Sequence, residues 1–179
     1  IKSKLFSENR KRLAAQMAPK ALAVVNANDV LPTNADGTLP MQPNADLFFL
    51  SGIEQEESIL VLFPDAADEK QREILFVREP NEHLQIWEGY KHSKPDARKI
   101  SGIKNVQWLS EFPVIFRSLM CEAESAYLNS NEYKRAHVEM ETRDVRFIKQ
   151  CQADFPLHTY RRLAPLLHEL RVVKTDLEI

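Results

Sequence analysis

The sequence predicts an α/β domain, and three observations support this. Segments with the hydrophobic period of helices alternate along the chain with short apolar runs that are typical of strands. The chain has 179 residues, of which 44% are hydrophobic and 28% are charged, so a domain of ordinary size can bury a core. It contains no internal repeat and no low-complexity tract. We therefore expect one globular unit.

The first quarter of the chain predicts a helix, a strand and a long loop. The helix is expected over residues 7–17, since Ser7 can cap it and Pro19 stops it. Residues 21–26 form an apolar run that predicts a buried strand. Residues 28–43 are rich in Asn, Asp, Pro and Gly, so we expect a loop of the length that is often functional or mobile.

The following segments predict further strands and a short helix. Four strands are expected from short apolar runs, at residues 47–50, 58–63, 73–77 and 106–109. Residues 81–90 fit neither the helical nor the strand pattern. Pro95 suits the first position of a helix over residues 95–100, which Gly102 closes.

The last third predicts three helices and one strand. Ser110 is expected to cap a helix with a core-facing stripe formed by Phe112, Ile115, Phe116, Leu119 and Met120. Residues 126–128 predict a short strand. Residues 133–153 predict a longer helix with one apolar side, made of Ala136, Met140, Phe147 and Cys151. Pro165 begins a final helix with the inward residues Leu166, Leu167, Leu170 and Val173.

The final residues predict the start of another helix. Thr175 and Glu178 have the spacing of a capping box, in which the threonine caps the helix and the glutamate binds back to it. The sequence stops at Ile179, one turn into that helix, and a single turn does not persist alone. We therefore expect a further domain to follow, with a frayed natural terminus as the alternative.

Charge and hydropathy argue against several classes of partner. The chain has 24 Lys and Arg against 26 Asp and Glu, for a formal net charge of −2. This balance gives no electrostatic reason to expect nucleic acid or an anionic membrane. The longest apolar runs, at residues 21–25 and 59–63, are too short to span a bilayer, and no export signal is recognisable. Two cysteines, Cys121 and Cys151, do not make a disulfide framework; we expect a cytoplasmic protein and two small core residues.

The usual catalytic signatures are not found in the sequence. Its four glycines are scattered, so no phosphate-binding loop can be built, and none of its five histidines has the spacing of a zinc pair. No nucleophile elbow occurs. Glu54, Glu56 and Glu57 could hold a cation, although a solvated turn is the favoured interpretation. Residue chemistry alone therefore predicts an α/β domain without an active site of its own.

Two tryptophans have different predicted roles. Trp87 lies beside Gly89, and a tryptophan at a turn can present its ring to a ligand; a place in the core or at a domain interface is the alternative. Trp108 follows an alternating stretch and is expected in the core.

Several segments resemble one family, the aminopeptidase P amino-terminal domain of the creatinase/prolidase N-terminal domain family. They occur in the family's order and cover nearly the whole chain, with a looser match over residues 100–154. The segments are residues 12–17 and 21–26, PMQPNADLFFLSG at 40–52, EESILVLF at 56–63, ILFV at 74–77, IWEG at 86–89 and HELRVVKTDLEI at 168–179. Gln42 and Pro43 replace a frequent Arg-Gln pair, so a salt bridge of that arginine is not expected here.

The resemblance implies a fold and a parent enzyme. The fold is a mixed β-sheet flanked by helices, of ribonuclease H-like topology. Residues 1–173 would form the N-terminal domain, and residues 174–179 would start a C-terminal pita-bread catalytic domain. The parent would be a Xaa-Pro aminopeptidase, a metallopeptidase that removes the amino-terminal residue preceding proline. Its two divalent metals, usually manganese, would lie in the catalytic domain, so this chain would bind no metal and cleave nothing.

The resemblance also implies what the domain does. It would take part in a homo-oligomer, contact its own C-terminal catalytic domain and shape the entrance for proline-containing peptides. Trp87 is the expected substrate-facing residue, and Asp46 is a second candidate. Three alternatives remain: the corresponding domain of a prolidase or a creatinase, a pseudoenzyme binding module that kept the fold, and a free-standing α/β binding protein.

Overall fold

The computed structural model describes residues 2–83, 89–137 and 139–179. The described residues form a mixed six-stranded sheet flanked by helices, which confirms the predicted α/β class. The strands are β1 Ala21–Asn26, β2 Ile59–Leu62, β3 Glu73–Val77, β4 Asn105–Trp108, β5 Ser125–Leu128 and β6 Thr159–Arg162. Their order across the sheet is β4-β3-β2-β1-β5-β6. Strand β2 is antiparallel to both its neighbours, and the other pairs are parallel.

Helices cover both faces of the sheet. Those in the described residues are α1 Lys2–Gln16, α2 Ala45–Ser51, α3 Lys94–Ser101, α4 Phe112–Glu122, α5 Arg143–Asp154 and α6 Ala164–Val172. Two apolar clusters separate the layers, because alternate residues of each strand point to opposite faces. Helices α1, α2, α3 and α6 pack on the face that carries Ala23 and Val25. Helices α4 and α5 pack on the face that carries Leu22 and Val24.

Most predicted elements are present, and two match their predicted bounds, β1 and β3. The long loop is also confirmed, with a single bridge between Pro32 and Thr38 inside it. The strand predicted at residues 47–50 is wrong, because this segment lies in helix α2. The Asn44 side chain accepts hydrogen bonds from the first backbone N–H groups of that helix, and Gly52 closes it in the left-handed conformation. A four-residue apolar run does not distinguish the two structures by itself.

The helix predicted over residues 133–153 is wrong in its first half. Helix α5 begins at Arg143, because the Thr142 hydroxyl caps it by accepting from Val145 N–H at 3.3 Å. Ala136 and Met140 are exposed in the preceding loop and face no core. Strand β6 was not predicted, since its residues Thr-Tyr-Arg-Arg are mostly exposed at the sheet edge and carry little apolar signal.

Several single-residue predictions are also wrong. Ser7 lies inside α1, which begins at Lys2, and Ser110 lies in a 3₁₀ turn that precedes α4 without capping it. Cys121 is exposed and only Cys151 is buried, because Met120 already takes the inward position at the end of α4.

Two apolar residues are less buried than predicted. Trp108 is partly buried, with Lys94 Nζ 4.8 Å from its ring centroid, because β4 is an edge strand. Val173 is 63% exposed, because α6 ends before it. Among the described residues, no helix combines the length and apolar composition that a membrane span requires.

Helices α2 and α3 end in the same way. Residues 51–53 and 101–103 both read Ser-Gly-Ile, and in each the serine hydroxyl donates to the carbonyl four residues earlier, at 2.6 and 2.7 Å. The same hydroxyl accepts from the isoleucine N–H, at 3.2 and 3.1 Å. The glycines have φ of +72° and +73°, a conformation that glycine adopts at no steric cost.

Arg10 joins these two helix ends to α1. Its side chain is buried, and Nη1 donates to Leu50 O at 2.8 Å and to Ser101 O at 2.9 Å. Its Nε lies 3.2 Å from a carboxylate oxygen of Glu73 at the start of β3. A cation at the carbonyl ends of two helices is electrostatically favourable, so Arg10 fixes their position on the sheet.

The last residues form part of the predicted capping box. Thr175 N–H donates to Glu178 Oε2 at 2.7 Å, as in a capping box, and the threonine hydroxyl donates to the same oxygen at 3.1 Å. Glu178 N–H donates to the Thr175 carbonyl at 2.9 Å. Arg12 holds the preceding segment by donating to Leu170 O and Val173 O, at 2.9 and 3.0 Å.

Candidate functional site

The long connections between strands and helices all begin at the same edge of the sheet. Strands β1, β3 and β5 point in the same direction, so the connections that follow them, residues 27–44, 78–93 and 129–142, start at their shared carboxyl edge. Ligands of α/β proteins bind at this edge, because the loops there are free of the packing that fixes the sheet. A ligand site is therefore expected at this edge.

An open cleft of about 1530 Å³ lies at the carboxyl ends of β1, β5 and β6. It is lined by residues of the connections 27–44 and 129–142, by the start of α5 and by α6. Four of its apolar side chains are between 40% and 67% exposed: Leu31, Leu39, Tyr133 and Met140. Polar groups lie along the cleft beside them, which is the usual composition of a binding site.

Asp46, a predicted site residue, lies in this cleft at the first turn of α2. One of its oxygens accepts from Asn129 Nδ2 at 2.7 Å, and the other lies 2.7 Å from Arg171 Nη2. The Arg171 guanidinium also lies 5.2 Å from the ring centroid of Phe49. Asp46 therefore joins α2, the end of β5 and α6, and both of its oxygens already have partners.

Asn129 follows the last residue of β5 and is 6% exposed. Its amide nitrogen is used by Asp46, whereas its Oδ1 has no hydrogen-bond partner among the residues that the structure describes. A buried acceptor without a donor costs free energy, so this oxygen is an unfavourable feature of the cleft wall.

Asp144 also lines the cleft, in the first turn of α5, and its Oδ1 accepts from Asn26 Nδ2 at 3.3 Å. Burial raises the pKa of this carboxyl to about 6, and the hydrogen bond from Asn26 and the charge of Arg143 counteract part of that effect. The nearby carboxylates Asp46 and Asp29 raise the pKa further. A carboxyl with a raised pKa in a cleft is a candidate for function.

Arg143 connects the loop after β1 to α5. Its backbone N–H donates to Asp29 at 2.7 Å, and its guanidinium donates to Glu57 O at 3.0 Å and Ala27 O at 3.4 Å. Burial lowers the pKa of the guanidinium, although nearby acids oppose this shift. Arg146 completes the connection with a 2.6 Å hydrogen bond to the other oxygen of Asp29.

Trp87, the first predicted site residue, lies in the segment 84–88, which is outside the described residues. The chain on both sides of that segment is tied to one turn between α2 and β2. Lys91 pairs with Glu56, and His92 N–H donates to Gln55 Oε1 at 2.7 Å. Before the segment, Arg78 Nε lies 3.6 Å from an oxygen of Glu57.

The acidic turn is largely solvated, as the sequence predicts. Glu54 and Glu57 are exposed and Glu56 is partly buried, and Glu56 and Glu57 each have a cation partner. The described part of the chain contains no group of three or more His, Cys, Asp or Glu side chains placed to hold a metal ion.

Asp46 is the one residue of this cleft that was predicted from the sequence as a site residue, and that role stays a prediction; none of the other polar residues of the cleft was predicted as one. A usable signal was present, because Asn26 ends the buried strand β1 and Asn129 directly follows β5. A polar residue at the carboxyl end of a buried parallel strand lies at the edge where ligands bind. For Asp144 and Arg171 no such signal exists, since acids in a first helical turn and bases in a last turn are common for other reasons.

Comparison with known proteins gives a consistent result. The profile of the family described as "Aminopeptidase P, N-terminal domain" matches residues 6–128. The Xaa-Pro aminopeptidase of Escherichia coli is 25% identical over 175 residues, which are 97% of this chain and 40% of that protein. The human Xaa-Pro aminopeptidase 3 is 21% identical over 178 residues, covering 98% of this chain and 34% of that protein.

Solved structures show the same fold. A candidate aminopeptidase P from Bacillus anthracis superposes with a TM-score of 0.87 at 28% identity, covering 99% of this chain and 42% of that one. The aminopeptidase PepP of Pseudomonas aeruginosa superposes with a TM-score of 0.79 at 21% identity, covering 98% and 40%. The chain thus spans less than half the length of the relatives that it matches.

Proposed function

The chain belongs to the aminopeptidase P N-terminal domain family, and on that basis we propose that it is the non-catalytic domain of a metal-dependent Xaa-Pro aminopeptidase. Such an enzyme removes the amino-terminal residue that precedes proline. In this proposal residues 1–173 form the domain, and the chain from residue 174 onward leads into the catalytic domain. The two relatives compared in sequence are Xaa-Pro aminopeptidases, which favours this function over a prolidase or a creatinase.

The role of the domain in the proposal is to shape the entrance to the active site. The observation that carries it is that two long connections, residues 27–44 and 129–142, contribute to the lining of an open cleft at one edge of the sheet. Loops held by a rigid sheet can limit which peptides reach a neighbouring site while the sheet itself stays fixed. Short peptides would pass such an entrance more easily than folded chains.

Trp87 and Asp46 have different parts in this proposal. Trp87 would face the substrate, and the pairs Lys91–Glu56 and Arg78–Glu57 support it by fixing the chain on either side. Asp46 would act mainly by holding the cleft in shape, because Asn129 and Arg171 already occupy its oxygens.

The metals of the proposed enzyme would lie in the catalytic domain. A pair of divalent ions, manganese in this proposal, supplies an activated water and polarises the scissile carbonyl. The described residues of this chain do not fit such a pair, since no group of three ligand-type side chains comes together among them. In this proposal the metal ligands and the catalytic residues belong to the catalytic domain.

The remaining partners are proposed from the resemblance to the family, and the cellular location from the cysteine content. The protein would work as a homo-oligomer, in contact with its own catalytic domain and with proline-containing peptides. A cytoplasmic location agrees with its two cysteines, Cys121 and Cys151, both of which are free thiols.

Peptide hydrolysis by two proteins tests the proposed function. The full-length protein and the 179-residue chain alone are each given Mn²⁺ and a tripeptide with proline in the second position. We expect release of the first residue by the full-length protein only. Cleavage by the 179-residue chain would contradict the proposal, and a full-length protein that cleaves only Xaa-Pro dipeptides would favour a prolidase instead.

A further inference from the structure

One side chain of helix α1 holds the chain at the point where it leaves helix α6. Arg12 Nη2 donates to Leu170 O at 2.9 Å and to Val173 O at 3.0 Å. Its Nη1 lies 3.7 Å from Glu178 Oε2. Helix α6 ends at Val172, so Arg12 contacts both the end of this helix and the turn that follows it.

The two bonds to carbonyl groups explain only part of this arrangement. The last carbonyl groups of a helix have no partner inside it, and a cation placed there is electrostatically favourable. An arginine that served only to cap α6 would need no carboxylate beyond the helix. Arg12 has one, and the side chains of Glu178 and Arg12 are only 9% and 24% exposed. Water and salt therefore screen this ion pair less than they screen a pair on the open surface.

Residues 175–178 form a compact turn around the Glu178 carboxylate. Thr175 donates to Glu178 Oε2 from its backbone N–H at 2.7 Å and from its hydroxyl at 3.1 Å, and Glu178 N–H donates back to Thr175 O at 2.9 Å. Burial raises the pKa of Glu178, but the bonds from Thr175 and the charges of Lys174 and Arg12 outweigh burial and lower that pKa below its usual value. The carboxylate is therefore charged at neutral pH, and its attraction to Arg12 acts on the whole turn.

Arg12 provides the polar contacts between this turn and the rest of the domain. Within the described part of the chain, no hydrogen bond or ion pair other than those of Arg12 joins residues 173–178 to residues 2–163. The side chains of Lys174 and Asp176 are exposed. The direction that the chain takes after α6 thus depends on a single guanidinium group.

We propose that Arg12 is a positioning residue: it fixes the direction in which the chain leaves this domain, and so keeps the catalytic domain in one orientation beside the loops 27–44 and 129–142. This rests on the function proposed above in one respect, that a catalytic domain follows residue 179. The contacts between Arg12 and the turn do not depend on peptidase activity, so they can be tested separately.

Limited digestion of the full-length protein by trypsin tests the contact itself. Lys174 lies exposed in the held segment, and trypsin cleaves after it when the segment opens locally. Its cleavage rate is divided by the rate after Lys134, in the exposed connection 129–142, so that any global unfolding affects both rates. We expect Arg12→Ala to raise this ratio about 10-fold, because a charged donor of two hydrogen bonds is lost. An unchanged ratio would overturn the proposal.

Two further variants separate the role of Arg12 from a general effect of charge. Lys11 is the preceding residue, is exposed and pairs with Glu8 on the same helix, so Lys11→Ala should leave the ratio unchanged. Glu178→Gln removes the ion pair and keeps the bonds that cap α6, so it tests the contact even if Arg12→Ala does not fold. We expect it to raise the ratio about threefold. No increase for Glu178→Gln would reduce Arg12 to a cap of α6, and equal increases for Lys11→Ala and Arg12→Ala would indicate a non-specific effect; either result contradicts the proposal.

Kinetics of the full-length variants test the consequence for the active site. We expect the ratio of kcat/KM for a ten-residue Xaa-Pro peptide to that for a tripeptide to rise about threefold in Arg12→Ala and to stay unchanged in Lys11→Ala. Arg12→Lys keeps the charge but lacks the planar fork, so its ratio should fall between them. More cleavage after Lys174 with no change in the kinetic ratio would mean that Arg12 holds only the turn, and the proposal fails. If the unmodified full-length protein cleaves no Xaa-Pro peptide, the proposed function fails, and the trypsin ratios alone decide whether Arg12 holds the turn.

Discussion

Asp144 shows how one partly buried carboxyl can couple the cleft to pH. Burial raises its pKa from 3.8 to about 6, so the folded protein holds this proton more tightly than the unfolded chain does. The contribution of Asp144 to stability is therefore fully present below pH 4 and is lost as the pH rises to about 6. Its neighbours are Asn26 and Arg143, which favour the ionised form, and Asp46 and Asp29, which oppose it.

The Asp144→Asn variant tests this sign. An amide cannot ionise, so the variant avoids the cost of a buried charge at neutral pH. We expect its free energy of unfolding in urea to exceed that of the unmodified chain by about 1–3 kcal/mol at pH 7, with the gain disappearing near pH 4. Asp36→Asn, at an exposed loop position, serves as the control and should change little at either pH. A gain of the same size at pH 4 and pH 7 would show that the pKa of Asp144 is not raised.

At the residue scale, the contacts of individual side chains could not be predicted. Asp46 was proposed from the resemblance, and its contacts with Asn129 and Arg171 join residues 83 and 125 positions apart in the chain. Arg10 is similar: nothing in a basic amino-terminal stretch indicates that this arginine is buried against two helix ends. Long-range pairs of this kind depend on the fold and cannot be derived from local pattern alone.

At the scale of elements, the two Ser-Gly-Ile helix ends provide a matched comparison. A Cβ on Gly52 would lie 2.2 Å from an atom of the buried Phe6 ring, whereas a Cβ on Gly102 would meet nothing closer than Ser3 O at 3.4 Å. Both glycines have nearly the same positive φ, so the backbone strain of an alanine is the same at the two sites. Only the packing differs.

Alanine substitutions at these two glycines measure that difference. We expect Gly102→Ala to cost about 1 kcal/mol of unfolding free energy, from backbone strain alone. Gly52→Ala should cost about 2–4 kcal/mol, because strain is joined by overpacking against Phe6. Thermal and urea denaturation of both variants provide the measurement. Equal losses would mean that the α1–α2 contact adapts to the extra methyl group.

Helices and strands were predicted correctly where the hydrophobic pattern agreed with the residues that start and end such elements. The buried strands β1 and β3 are continuous apolar runs with turn residues nearby, and α3 has Pro95 at its start and Gly102 after its end. It failed at α2, where an apolar run of four residues hid a helix that Asn44 caps. It failed again at β6, because a polar edge strand is specified by its pairing with β5 and not by its own sequence.

At the scale of the whole molecule, the two edges of the sheet differ in the length of the connections that they carry. The turns that lead into β1, β4, β5 and β6 at the amino edge of the parallel strands are two to four residues long, whereas the connections 27–44, 78–93 and 129–142 leave the carboxyl edge. The polar contacts of Asp46 and Arg143 hold the bases of the loops 27–44 and 129–142, so the tips of these two loops can differ without disturbing the sheet. A domain built in this way is suited to present a surface to a neighbouring active site.

Kinetics of a loop-shortened full-length protein test whether the loops narrow the entrance to the active site. Residues 33–37 are replaced by Asn-Gly, which the bridge between Pro32 and Thr38 can accommodate as a tight hairpin. Leu157→Ser, a 97% exposed position just before β6 at the opposite edge, is the control. If the loops narrow the entrance, the ratio of kcat/KM for a ten-residue Xaa-Pro peptide to that for a tripeptide rises about threefold or more in the shortened protein only. A ratio unchanged from that of the control variant would contradict the account.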